Sequence, residues 1–473
     1  MTVSSTAYIA ARYAIVVGYL FLCCTLPSAA KVGVRPERAR ELGVPFDGVP
    51  GQLNAITDVR GVEVGQTTII QGEGKLVVGE GPVRTGVTAI LPLGRANADT
   101  PVPAAVFSLN GNGEMTGSAW VEESGFLEGP ILLTNTHSVG VVRDAVVEWG
   151  TKKFPGTEHF SLPVVAETWD GQLNDIDGFH VTKEHVFYAL DNASGGPVAE
   201  GNVGGGTGMK AFGFKAGIGT SSRLLTDQGG EFCIGVLVQA NMARRQNLIV
   251  AGVPVGKEIS DLQPLVHRDP GKEGSILVII ATNVPLLPHQ LKRVAKRAAL
   301  GIARTGAVST NSSGDLFLAF STATPLAVGD REQWSVVRND DLDPALSATV
   351  EATEEAIINA LLAAETMRGA NDNTFYALPH DRLREINAVR IFGTARNKGA
   401  IVSFEMKGAH PHDVATIIDR AGVAVRAGTH CVMPLLARFG VTASCRASFA
   451  MYNTREEIDC LAQALIKAQD FFA

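Results

Sequence analysis

Residues 271–282 read GKEGSILVIIAT. A loop-like Gly-Lys-Glu-Gly runs straight into Ser275, and six of the seven residues that follow are apolar. An unbroken apolar run of that length describes a fully buried strand, which needs cover on both faces. EFCIGVLVQAN (231–241) and SGDLFLAFST (313–322) read the same way. Shorter apolar runs broken by Gly and Pro fill 61–110, namely VEVGQTTII, GVTAILPL and AAVFSLN, and ILLTN (131–135) and LPVVAET (162–168) continue the theme. The covering layers come from helices. SVGVVRDAVVEWG (138–150) has near-helical apolar spacing, and Pro288 opens a helix with Leu291, Val294, Ala295, Ala298 and Ile302 on one face, closed by Gly306. Asp343-Pro344 caps a long helix expected to run to about Met367. Strands and helices are mixed rather than strictly alternating, so the expected class is α+β, a layered sandwich with helices outside and sheets within.

The chain of 473 residues is long enough for two or more domains. It is 45% hydrophobic and 19% charged with 51 glycines, a globular and loop-rich composition. A net charge of -7, with no basic block, argues against nucleic acid as a partner. At the N-terminus, Arg12 precedes the apolar run Tyr13 to Leu26 and then Pro27-Ser28-Ala29-Ala30. This is the pattern of a secretory signal over residues 1–30, which predicts a periplasmic or secreted protein with no membrane attachment after its removal. The alternative is an uncleaved anchor, for which the run is short. Cys23 and Cys24 leave with the signal, and Cys233, Cys431, Cys445 and Cys460 show no CxxC spacing, so neither a disulfide framework nor a zinc site is expected. No metal and no cofactor are expected.

The hydroxyl of Ser275 on the first rung of a buried strand has an ordinary explanation, since Ser commonly ends a turn. It also has a chemical one. If the Gly274–Ser275 bond broke, Ser275 would gain a free α-amine of pKa about 7.7–8.0, able to act as general base for its own hydroxyl. Ser313 and Asp315 lie two apart and point the same way in a strand, a possible proton relay or a solvated strand end. Asn241 ends an apolar strand and offers either an oxyanion donor or a turn. The glycine-dense GNVGGGTGM (201–209) lacks the Gly-Lys-Ser/Thr ending of a P-loop, and its expected job is close backbone approach near the site or near a self-processing segment.

Taken in order, NTHSVG (135–140), VVAETWDGQLNDI (164–176), EGNVGGGTGM (200–209), GVLVQAN (235–241), GSILVIIAT (274–282), PLLPHQL (285–291), SGDLFLAFST (313–322) and ANDNTFYALP (370–379) resemble the DmpA-type aminopeptidases, that is, L-aminopeptidase/D-esterase and β-peptidyl aminopeptidases, over about residues 33–385. The resemblance implies an αββα sandwich like that of N-terminal-nucleophile hydrolases and a precursor that cuts itself between Gly274 and Ser275. The pieces 31–274 and 275–382 would stay associated as α and β chains, in a homo-oligomer. By matching position, Ser275 would be the nucleophile, Ser313 and Asp315 the proton relay, Asn241 the oxyanion donor, and Glu167 the holder of the free amine of a small peptide or amino-acid amide. Trp169 would also line the substrate site. It stands where some members carry tyrosine and brings no hydroxyl.

From about Leu383 the sequence resembles instead the C-terminal end of a group II cysteine desulfurase. Cys431 in RAGTHC matches that family's persulfide cysteine and Arg446 in CRASF its carboxylate-binding arginine. Such enzymes carry pyridoxal phosphate on a lysine of a large domain, and no matching segment exists here. Residues 383–473 therefore read as a small α/β fragment fused to the hydrolase. His410-Pro411-His412-Asp413 matches this fragment and reads as structural. The alternative functions are sulfur transfer through the tail, or an inactive fusion.

Overall fold

The structure is a computed structural model. It describes residues 37–156, 161–225, 232–267, 274–323, 326–328, 331–386, 389–393, 399–406 and 408–472. The chain divides into a unit Met1–Glu37, of which Glu37 alone is described, and a unit Arg38–Ala473, which holds everything that follows. The expected signal segment, residues 1–30, lies outside the described residues.

Two sheets form the centre. The first has strand order β1-β2-β5-β6, from β1 (Glu63–Gln71), β2 (Val83–Leu91), β5 (Ile131–Asn135) and β6 (Val164–Thr168). The second has order β4-β3-β12-β11-β10-β9, from β3 (Val102–Gly111), β4 (Phe126–Leu127), β9 (Ile218–Leu224), β10 (Cys233–Ala240), β11 (Ile276–Thr282) and β12 (Gly314–Ser321). The short hairpin β7 (Lys210–Ala211) and β8 (Phe214–Lys215) stands beside them. Every residue of β10, β11 and β12 is buried, and successive side chains go to opposite layers. Leu277, Ile279, Leu316 and Leu318 meet Ile131, Leu133, Val164 and Ala166 between the sheets. Ile276, Val278, Ile280 and Phe317 pack outward against helices Pro288–Arg304 and Asp343–Leu362. The far face of the first sheet, through Val87, Ala89, Leu132 and Val165, is covered by helices Val139–Lys153 and Lys183–Asp191. The arrangement is the expected αββα sandwich, and each of the three apolar layers needs all its neighbours.

The helix over 288–304 follows its sequence signals. Pro288 fills the first turn, the predicted apolar face is buried, and Gly306 closes the end at φ +88, where a side chain would strike the Asn247 carbonyl. The long helix stops at Leu362 rather than near Met367. The reason lies far away in sequence. Gly201 packs directly on the Ala363 carbonyl, Asn202 Nδ2 donates to the Glu365 carbonyl at 2.8 Å, and Met367–Arg368 pairs with Thr374–Phe375. The glycine-dense loop does make the close backbone approach expected of it: a Cβ at Gly205 would meet the Leu133 carbonyl at 2.7 Å.

The tail has a core of its own. Strands 389–392, 401–406, 444–448 and 426–428 form an antiparallel sheet in that order. One face, through Phe404, Met406, Cys445 and Ala447, packs on helices 411–419 and 455–472. His410, read as structural, caps the first of these, its Nδ1 accepting from the His412 N–H. The join is less sharp than a boundary at 382 implies: helix His380–Ile386 crosses it, and Leu383 is buried in the core between the second sheet and its helices.

Candidate active site

The chemistry gathers at one end of the second sheet because β11 and β12 run parallel. Their register sets Ile276 beside Asp315, so both strands begin together, while β10, antiparallel to β11, ends there with Ala240 opposite Ile276. The residues just outside these strand ends are Ser275, Ser313 and Asn241.

Ser275 is buried, and its Oγ accepts a hydrogen bond from the Gly314 N–H at 3.0 Å. That contact aims a donor at the oxygen while leaving the hydroxyl proton free for transfer. The Asn241 N–H donates to the Ser275 carbonyl at 3.0 Å and zips β10 to the strand start. Ser313 Oγ lies 2.6 Å from the Gly274 carbonyl oxygen and 2.7 Å from Asp315 Oδ1. Burial raises the Asp315 carboxyl above its usual range, although Ser313, Ser309 and the Ile276 N–H all favour its charged form.

Asn241 is more committed than a free donor. Its Nδ2 donates to the Trp169 carbonyl at 2.9 Å and its Oδ1 accepts from the Lys210 N–H at 3.2 Å. Nδ2 carries a second hydrogen, and it lies 2.9 Å from the point a Gly274 side chain would occupy, beside the bond in question.

Glu167 is buried near the end of β6. Its Oε1 accepts from the Glu114 N–H at 3.0 Å, and its Oε2 is hydrogen-bonded by the Thr136 hydroxyl. Burial, the largest influence, pushes its carboxyl upward. Gly113 separates Glu167 from the strand start: a methyl there would lie 3.3 Å from Oε1 and 3.4 Å from Gly314 Cα. Trp169, two residues beyond Glu167, is exposed. Thr136, Gly113, Glu114 and Gly314 carry no sequence signal of their own, since they act through backbone groups or across neighbouring strands. The parallel pairing of Thr134 with Glu167 is what carries Thr136 alongside. Behind these residues sit two further groups that the sequence does not mark. Asp170 is buried with its carboxyl raised to about 7, and the buried Lys215, its amine held by the Met209 and Ala216 carbonyls at 2.6 Å each, is pushed well below the usual lysine range by loss of solvent.

A buried hydroxyl at a strand start, a second hydroxyl on the preceding carbonyl and a sandwich of two sheets and two helical layers define a narrow class. Residues 54–375 match peptidase family S58. The chain belongs to this family. As an S58 peptidase it is a hydrolase of aminopeptidase type. It is 52% identical over 374 residues to the beta-peptidyl aminopeptidase BapA of Sphingosinicella microcystinivorans, covering 76% of this chain and 93% of that protein. The solved L-aminopeptidase D-Ala-esterase/amidase of Ochrobactrum anthropi, described as a prototype serine aminopeptidase and a variant of the Ntn hydrolase fold, matches 74% of this S58 peptidase at 47% identity and a TM-score of 0.67.

Residues 356–461 match the class-V aminotransferases. Within the tail, 89 residues are 55% identical to a probable cysteine desulfurase of Xylella fastidiosa but span only 21% of it. Cys431 is exposed at φ +61, and Arg446 is half-buried opposite Ser403 and Arg426. These residues do not amount to a pyridoxal phosphate site. Among the described residues the tail's lysine is Lys467, on helix 455–472, which packs against the sheet face opposite Arg446.

Proposed function

We propose that this chain is an exported, self-processing serine aminopeptidase in which Ser275 is first the agent of its own release and then the nucleophile. The observation that carries the reading is the Ser313 hydroxyl 2.6 Å from the Gly274 carbonyl oxygen, beside Ser275. That hydroxyl has one hydrogen and two acceptors in reach. Donated to the Gly274 oxygen, that hydrogen polarises the carbonyl to be attacked, and the Asp315 carboxyl, raised by burial, stands 2.7 Å from the same hydroxyl to exchange a proton with it.

In the precursor, Ser275 Oγ attacks the Gly274 carbonyl carbon. Its proton passes to the Ser275 nitrogen, the C–N bond breaks, and the ester left on Oγ is hydrolysed by water. The product has a free amine on Ser275. In the mature enzyme that amine takes the Oγ proton as Oγ attacks a substrate carbonyl, and then gives it to the leaving amine. Ser313 and Asp315 relay protons, the second Nδ2 hydrogen of Asn241 faces the oxyanion, Glu167 holds the substrate's ammonium, and Trp169 borders it. Water frees the acyl group. No cofactor enters these steps. The substrates are small peptides, esters or amides with a free amino terminus, and similarity to a protein named beta-peptidyl aminopeptidase supports including β-amino acids among the candidates.

The α and β chains, 31–274 and 275–382, remain one body as part of a homo-oligomer, and residues 383–473 are a fused desulfurase fragment with no sulfur chemistry of their own. The 1–30 segment directs export to the periplasm or beyond. Among the described residues no helix is long and apolar enough to cross a membrane. The test is N-terminal sequencing and denaturing electrophoresis of purified, active protein. Wild type should give two polypeptides, one beginning Ser-Ile-Leu-Val, and Ser275→Ala a single unprocessed one. Active wild type lacking a Ser-Ile-Leu-Val terminus would overturn the proposal.

A further inference from the structure

Three aromatic rings stand exposed on the segments that continue from the buried Glu167 and from its strand partner. The strand partner of Glu167 continues into Thr136, whose hydroxyl bonds Oε2, and then into His137. Asn135 Oδ1 accepts from the N–H groups of both His137 (3.0 Å) and Ser138 (3.1 Å), so the turn that presents the imidazole is fixed. His137 Nδ1 lies 3.1 Å from Asp177 Oδ1, and its ring stacks on Phe179 at 6.2 Å and 24°. Phe179 is 67% exposed and is held at φ +52, a left-handed conformation in which a bulky residue is strained. The third ring, Trp169, is exposed and lies against Gly171: a methyl on that glycine would sit 2.7 Å from Cε2 and 3.1 Å from Ile176 Cγ2, in the short turn that leads to Phe179. The Trp169 carbonyl is held by Asn241, which in turn binds Ser275. The collar is therefore joined to the nucleophile through one residue, Asn241.

A large apolar ring left in water at a strained backbone position, as Phe179 is, beside two further exposed rings calls for an occupant. Resting on the reading that Glu167 holds the substrate's ammonium, we propose that His137, Phe179 and Trp169 form a collar receiving the side chain of the substrate's N-terminal residue, and that Phe179 sets a preference for aromatic and branched apolar side chains there. The ammonium fixes the amino end at Glu167. The side chain leaves the same carbon or the next one, so it emerges where the rings stand, and its burial against them adds to binding.

The test compares phenylalaninamide with glycinamide, which has no side chain to bury, on the processed enzyme. Phe179→Ala should raise KM for phenylalaninamide about tenfold with little change in kcat, the size expected for losing one ring contact together with its burial, and should leave glycinamide unaltered. Phe179→Leu, which keeps bulk at the same backbone angle, should fall between. Equal losses on both substrates would mark Phe179 as structural, and no loss on either would remove the collar. Both results overturn this inference while leaving the aminopeptidase reading in place. A wild type that turns over neither amide speaks against that reading instead.

Discussion

Gly274→Ala separates the two jobs assigned to Ser275. A Cβ on residue 274 would collide with the backbone carbonyl oxygen of Asn241 and lie 2.9 Å from its side-chain Nδ2. Asn241 cannot easily yield, because its N–H is bonded to the Ser275 carbonyl at 3.0 Å and its Oδ1 to Lys210 at 3.2 Å. The Gly274 peptide must move instead, and it is the group aligned between Ser313 and Ser275. Overpacking of this kind costs about 1–3 kcal/mol of stability, too little to unfold a chain of this size. A displacement of about 1 Å at reacting atoms costs on the order of 10² in rate. The precursor should thus fold, with a modest fall in melting temperature, and cut itself about a hundredfold more slowly in a time course read by denaturing electrophoresis. Once cut, the β chain is identical to wild type and the substitution lies at the far end of the α chain. The kcat per processed molecule should match wild type. Cleavage at the wild-type rate would refute the geometric argument, and a processed enzyme with low kcat would show that Gly274 serves the mature site instead.

Two further outcomes follow from the same geometry. Glu167 binds an ammonium only when ionised, and burial raises its carboxyl, so affinity is full above the raised pKa and is lost as pH falls through it. Thr136→Val removes a hydrogen bond that favours the charged form, so the rise in KM should begin at a higher pH than in wild type, and superimposable pH–KM profiles would contradict this. Ending the chain after Ile386 should leave self-cleavage and amidase activity intact. Ending it after Tyr376 exposes the sites of buried Leu378 and Leu383 and should destabilise the protein by about 2–5 kcal/mol for each leucine, measured by denaturant unfolding, and equal stability of the two truncations would rule this out.

The layers of the sandwich are legible in the sequence because burial writes itself as composition. The strands β10, β11 and β12 have no polar face, and the helix 288–304 displays its apolar stripe and both caps. What is not legible is which strand ends meet. Ser275 and Ser313 are 38 residues apart, and only the parallel pairing of β11 with β12 brings their oxygens to one peptide. Spacing and position offer Ser313 with Asp315 as a relay, and Asn241 as an oxyanion donor, only beside an equally ordinary strand end or turn, so family resemblance is what selects those roles, and for Glu167 it is the sole source. Thr136, Glu114 and Gly314 contribute a hydroxyl or a backbone N–H that any sequence offers in abundance. The early end of the helix at Leu362 is of the same kind, since a turn at 201–202 claims its carbonyls.

The strand order of the second sheet carries a consequence for the cut enzyme. Strands 276–282 and 314–321 are flanked by 233–240 on one side and 102–111 on the other, so a break at 274 divides the polypeptide but passes through the middle of a shared hydrogen-bonded ladder. Neither piece owns a complete apolar layer. Dilution should never part them, whereas complete denaturation would turn a one-body refolding problem into a search between two molecules, making processing a step after which the fold is retained by kinetics as much as by equilibrium.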